Sequence, residues 1–163
     1  MKKQTYLKMT EPFRQKPKMA RSLHIVNKIL TGVVFLFYMF LVLRLFARRD
    51  DGLVQAVLVP AFGLLAVTVF RSLINRPRPY EAFHVEPVIP KRTKGKSFPS
   101  RHVFSAAMIS GVFFAQGWWH CGVICLVLAL GLAVIRVVSG VHYISDVAAA
   151  LGAAAVISVF IIC

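Results

Sequence analysis

Acidic residues are scarce in this chain. Its 163 residues hold six Asp and Glu against 20 Lys and Arg, a formal net charge of +14, and only three cysteines. Cys121, Cys125 and Cys163 all lie in apolar segments without metal-ligand spacing, so they read as small hydrophobic packing residues. Extended polar sequence is also lacking. With 58% hydrophobic residues and a mean hydropathy of +0.70, the composition excludes a soluble multidomain protein and points to one membrane-embedded domain. The excess of positive charge does not indicate a nucleic-acid partner, because the basic residues collect at the ends of apolar runs instead of forming a face interleaved with aromatics.

A bilayer core of roughly 30 Å needs about 20 apolar residues per helix, and five runs qualify. They are Ile25–Phe46, Leu53–Ile74, His102–Trp119, Cys121–Val138 and Tyr143–Ile162. The expected fold is therefore all-α, a polytopic bundle of about five transmembrane helices, with turns near His120 and Ser139-Gly140. A basic segment, residues 1–24, precedes a single membrane domain, residues 25–163, whose loop 75–101 joins the second and third spans. No small-residue cleavage signal follows the first run, which reads as an anchor and not a signal peptide. Pro12 and Pro17 argue against one continuous interfacial helix before it.

Lys2, Lys3, Lys8, Arg14, Lys16, Lys18 and Arg21 precede the first run, and Arg76, Arg78, Lys91, Arg92, Lys94, Lys96 and Arg101 follow the second. Two spans separate these groups, so they share a side, and the positive-inside rule puts the amino terminus and the 75–101 loop in the cytoplasm of a multi-pass cell-membrane protein. The opposite end has Arg48 and Arg49 balanced by Asp50 and Asp51.

From His102 onward, 62 residues contain one cation, Arg136, and one anion, Asp146, with His142 between them. Ionisable groups at membrane depth are costly and mark functional candidates. A structural Arg–Asp pair locking two helices is the plainer reading, and it leaves His142 unexplained. His142 and Asp146 are four apart, one turn on one helix face. A carboxylate there can fix the imidazole tautomer and make the other ring nitrogen a nucleophile or base. Arg136 lies across the Ser139-Gly140 turn, able to offer a fork of donors to an oxyanion.

The second run ends "RSLINRPRPY", with Arg71 and Arg78; alone, these read equally as arginines snorkelling to the surface. The third begins "PSRH", where Ser100 suits an N-cap and the unpaired amides of the first turn suit an anion. All these groups fall on one membrane face. Such a cluster fits phosphoryl transfer, which is catalysed by positioning and charge neutralisation. Only Asp146 is placed to be a buried carboxylate ligand, too few for a two-metal centre.

These residues resemble the type-2 phosphatidic-acid phosphatase superfamily. Its motifs are a lysine, six intervening residues and Arg-Pro; Pro-Ser-Gly-His; and Ser-Arg, five residues, His, three residues, Asp. Here they read "RSLINRPRP", "PSRH" and "IRVVSGVHYISD". The resemblance implies an acid phosphatase/vanadium haloperoxidase-like core and a reaction without metal or cofactor. It implies that His142 attacks phosphorus, Asp146 orients it, and His102 protonates the leaving group. Arg71, Arg78, Ser100 and Arg136, with the amide of residue 101, would bind the phosphoryl oxygens.

Three positions depart from the pattern. Arg71 replaces lysine, Ile135 replaces the serine before Arg136, and Arg101 replaces glycine. If that glycine is needed for a positive φ, arginine would be strained there; otherwise it adds charge to the phosphate site and tunes its neighbour His102. The expected function is a metal-independent lipid phosphatase acting on a headgroup monoester or diphosphate through a phosphohistidine. The alternative is an impaired member that binds anionic lipid or phosphate without turnover. The loop residues Tyr80, Glu81, His84 and Glu86 are placed to touch a headgroup or simply to be solvated, and Arg76 to reach a second phosphate or to snorkel. The pairs Ala148/Gly152 and Ala149/Ala153 suit close helix packing within the monomer first and a homodimer seam second.

Overall fold

The computed structural model describes residues 3–91 and 93–162; Lys2, Arg92 and Cys163 lie outside them. The elements are helical throughout the described residues: α1 (Lys3–Arg14), α2 (Pro17–Arg48), α3 (Gly52–Ile74), a single turn α4 (Pro79–Ala82), α5 (Arg101–Ala115), α6 (Trp119–Val138) and α7 (Ile144–Ile162). Four of these, α2, α3, α6 and α7, are long and apolar enough to cross a membrane. With the apolar α5, they form the expected bundle of about five helices.

Pro17 separates α1 from α2. It occupies the first turn of α2, behind an extended Lys16 at φ −122°, where its missing N–H costs no helical bond. Pro12 is accommodated within α1, and Pro60 within a continuous α3. Two expected boundaries are corrected. The helix that carries the first apolar run begins at Pro17, ahead of Ile25, so Lys18 and Arg21 belong to the opening turns of α2. The turn expected at His120 lies instead at Gln116–Trp118, where Gly117 adopts φ +74°, so Trp119 and His120 belong to α6.

Helix α5 is the axis of the bundle. Its 15 residues extend about 22 Å at 1.5 Å per residue, less than the hydrocarbon core, and nearly all of Val103 to Phe113 is buried against α6, α7, α2 and α3. The close approach of α5 to α7 is made by Gly111, where a Cβ would fall 2.0 Å from Ser158 Oγ. Helix α7 buries Val147, Ala150, Ala154, Ser158 and Ile161. Of the small residues, Ala150 and Ala154 are buried, Ala149 and Ala153 are half-buried with Ala153 packed against the core, and Ala148 and Gly152 are exposed. Cys125 is fully buried among these apolar side chains, as expected.

The bundle has two chemically different ends. At one, Arg44 stacks 4.1 Å over Trp118 and Gly52 approaches Gln116. At the other, α1, the segment between α3 and α5, and the α6–α7 turn come together through hydrogen bonds from Arg14 to Glu86 O and from Val88 N to Ser139 O.

Candidate active site

Asp146, in the first turn of α7, is fully buried and organises this second end. Its Oδ2 accepts the Tyr143 amide at 2.9 Å, the His142 Nδ1–H at 3.3 Å and the Ser97 hydroxyl. Its Oδ1 accepts Arg76 Nη1 at 2.9 Å. Arg76 also donates to Ser145 and lies 4.1 Å over the Tyr143 ring. His142 precedes α7 instead of riding on it, yet the carboxylate still caps Nδ1 and leaves Nε2 free to present a lone pair. Burial, opposed by the Asp146 hydrogen bond and reinforced by the charges of Arg78 and Arg136, lowers the His142 imidazole to about 4. It is therefore neutral at neutral pH.

Ser100 and Arg136 flank this pair through the backbone. The Ser100 amide donates to Asp146 O at 3.0 Å, and the His142 amide to Arg136 O at 3.2 Å. Both side chains are buried, and Ser100 Oγ and Arg136 Nε have no hydrogen-bond partner among the described residues. Buried polar atoms are almost always paired, so two orphans beside one buried histidine mark a site shaped for an external polar group. Ser100 stands at the N-cap of α5 without capping the helix by its side chain, which leaves its hydroxyl for that group.

Arg71 and Arg78 are buried as well, but part of each guanidinium is engaged. Arg71 Nη1 donates to Pro99 O at 2.9 Å and Nη2 to Lys96 O. Arg78 Nε donates to Gly95 O at 3.1 Å and Nη1 to Val141 O at 3.4 Å. They fasten the strands of chain that carry Ser100 and His142. A guanidinium has five donors, so each retains N–H groups beyond these bonds.

The 75–101 segment is held in part by its own polar groups, which engage the Glu81 carboxylate and leave Glu86 and His84 exposed. Glu81 accepts the amides of Arg78, at 2.8 Å, and Gly95, at 2.8 and 3.0 Å to its two oxygens. The Tyr80 hydroxyl donates to Thr93 O. Helix α1 seals the same end: Tyr6 is fully buried, its ring 5.2 Å from that of Phe83, and its hydroxyl lies against Gly140, which adopts φ +72°.

His102, in the first turn of α5, opens into a cavity that Arg136 and Lys91 also line. Arg101 is exposed and helical, with no positive φ, so replacing glycine there introduces no backbone strain. It lines a neighbouring apolar cavity with His102. Ile135 is buried facing Phe13, Leu23 and Val26, outside the cavity that Arg136 lines. The structure thus gathers His142, Asp146, Ser100, Arg71, Arg78, Arg136 and His102 at one end. Sequence reasoning missed Ser97 and the pairing of Arg76 with Asp146; the abundance of basic residues beside a lone acid was the available signal.

The family model that matches this chain is the PAP2 superfamily, over residues 52–163. A search of curated proteins found no match. Among solved structures, Aquifex aeolicus LpxE superposes with a TM-score of 0.72 at 20% identity, covering 97% of this chain and 92% of that one. A transmembrane PAP2-type phosphatidylglycerolphosphate phosphatase from Bacillus subtilis gives a TM-score of 0.62 at 19% identity, covering 96% and 90%.

Proposed function

Because the chain belongs to the PAP2 superfamily and is a phosphoric ester hydrolase of the membrane, we propose that it removes phosphate from a lipid headgroup through a phosphohistidine, without metal. The observation that carries this reading is the pair of buried, unpartnered atoms, Ser100 Oγ and Arg136 Nε, on residues bonded through the backbone to Asp146 and to a neutral His142 that Asp146 holds. The His142 Nε2 lone pair forms the N–P bond as the P–O bond to the leaving group breaks. The departing oxygen takes the electron pair and a proton from His102. A water that His102 deprotonates then forms a new O–P bond, the N–P bond breaks, and phosphate leaves. Arg71, Arg78, Arg136 and Ser100 neutralise the equatorial oxygens in both steps.

The site faces the cytoplasm in this reading, because α1 and the 75–101 segment lie at one end and carry half of the 20 Lys and Arg residues, against Arg48 and Arg49 balanced by Asp50 and Asp51 at the other. The structural likeness to a phosphatidylglycerolphosphate phosphatase supports a lipid phosphate as substrate class. Protein purified in detergent is expected to release phosphate from phosphatidic acid, phosphatidylglycerol phosphate or a polyprenyl diphosphate in the presence of chelator, and His142→Ala to abolish release. Turnover of none of these, or full activity of His142→Ala, defeats the proposal. Phosphate binding that depends on Arg136, without turnover, selects the non-hydrolysing alternative.

A further inference from the structure

The cavity beyond His102 holds more charge than one phosphate requires. It measures about 520 Å³ and is lined by His24, Asn27 and Lys28 of α2, by Lys91, by His102 and by Arg136, with no acidic residue on its walls. Asn27 is 9% exposed, and its Oδ1, like His24 Nδ1, is buried without a partner among the described residues. The two side chains are three apart, neighbours on one helix face. This wall therefore presents its own unsatisfied polar atoms, separate from those beside His142.

The scissile phosphate already has Arg71, Arg78, Arg136 and Ser100. Lys28 and Lys91 line the same cavity as His102, the group assigned above to protonate the leaving oxygen. Lys91 is held below its ordinary value, first by burial and then by the charges of Arg78, Arg136, Arg101 and Arg71, a crowding of cations that an anion relieves. A neutral alcohol in this position would leave the half-buried Lys91 ammonium and both orphan atoms of α2 uncompensated, while the exposed Lys28 is free to turn toward an anion. Past His102 the cavity adjoins an apolar one of about 270 Å³ walled by Val34, Leu64, Ile109 and Leu132, suited to hydrocarbon attached to the leaving group.

Resting on the hydrolase reading above, we propose that the leaving group is itself anionic: the substrate lipid carries a second phosphate, bound by Lys28 and Lys91 against Asn27 and His24. Cleavage of the scissile P–O bond then releases a lipid that keeps one phosphate, its new oxygen protonated by His102. Helix α2 lies before the residues matched by the family model, so this subsite can differ among members that share the three motifs. The second phosphate could be joined directly to the scissile one, as in a diphosphate, or through a glycerol. In the first case the Asn27 amide flips and donates N–H to phosphate; in the second its oxygen accepts the glycerol hydroxyl.

The test is kcat/KM of the full chain in mixed micelles for phosphatidic acid, phosphatidylglycerol phosphate and a polyprenyl diphosphate. At least one two-phosphate lipid should be preferred over phosphatidic acid by about tenfold or more, and Lys28→Met and Lys91→Met should each erase about tenfold of that preference, a typical effect for one charge-assisted contact. The preferred lipid identifies the linkage. Thermal shift provides an independent readout: inorganic pyrophosphate should stabilise the wild type more than orthophosphate does, and Lys28→Met should narrow the gap. Phosphatidic acid turned over as well as both other lipids, or a preference intact in both variants, overturns the subsite while leaving the hydrolase reading standing. Turnover of no lipid overturns both.

Discussion

A Cβ placed on Gly140 would lie 2.5 Å from the hydroxyl oxygen of Tyr6. An aromatic side chain from the basic amino-terminal helix is thus in contact with the turn that presents His142, two residues further on. Gly140 is required twice, by its left-handed φ of +72° and by this contact.

Gly140→Ala should destabilise the protein by at least about 1–2 kcal/mol from backbone strain alone. In a Tyr6→Ala background the steric part of the cost should disappear and the backbone part persist, so thermal unfolding of the double-mutant set separates the two. Tyr6→Ala by itself should lower kcat by about 10–100-fold, with a smaller effect on KM, because a displaced nucleophile loses its attack geometry more than the site loses substrate contacts. Equal losses in kcat/KM through KM alone would contradict a positioning role for Tyr6.

The carboxylate of Asp146 has four donors, and their removal should have graded consequences. Asp146→Asn should reduce kcat by about 10³–10⁴-fold, as expected when an orienting acid is replaced by an amide that favours the wrong imidazole tautomer. Arg76→Gln should cost less, about tenfold, since Oδ2 keeps Ser97, Tyr143 and His142 when Oδ1 loses its partner. Steady-state kinetics on any accepted lipid would check the order; an Arg76 variant as damaged as Asp146→Asn would mean that Arg76 meets substrate directly.

Protonation of His142 gives a pH dependence with a fixed sign. Its imidazole lies at about 4 in the folded protein against an ordinary 6.5. Between these values the unfolded chain binds the extra proton and the folded chain does not, so stability rises with pH through this window. The contribution is fully present above 6.5 and lost as pH falls toward 4. His142→Gln should remove that dependence, visible as unfolding temperatures of variant and wild type that diverge progressively between pH 7 and 4. The acid limb of kcat/KM for the wild type should correspondingly lie near 4 instead of 6.5.

Much of this site could be read before folding, for a physical reason. Arg136, His142 and Asp146 stand alone among apolar residues, where charge is too costly to be incidental, and α3 was bounded nearly to the residue by its apolar run. Other features depend on contacts distant in sequence. Arg76 meets Asp146 across 70 positions, and Ser97 meets the same carboxylate across 49; nothing local distinguishes Arg76 from the other basic residues of its loop. Tyr6 and Asn27, which carry no motif, become buried beside the site only when α1 and α2 are packed. The α5–α6 turn was misplaced because Trp118 and Trp119 continue the apolar run past it; only the backbone of Gly117 marks the break.

Arg136 sets function against stability. Arg136 is buried and its Nε has no hydrogen-bond partner among the described residues; a guanidinium so placed is costly without an anion. Arg136→Met retains the apolar stem and removes the charge, so it should stabilise the ligand-free protein, by about 1–3 kcal/mol if one unsatisfied charged group is relieved. The same change should lower kcat/KM by about 10²–10³-fold, the usual cost of losing a preorganised donor to a developing oxyanion. Orthophosphate or vanadate should raise the unfolding temperature of the wild type and not that of Arg136→Met. A variant that is inactive and also less stable than the ligand-free wild type would show instead that Arg136 is a structural cation with a partner outside the site.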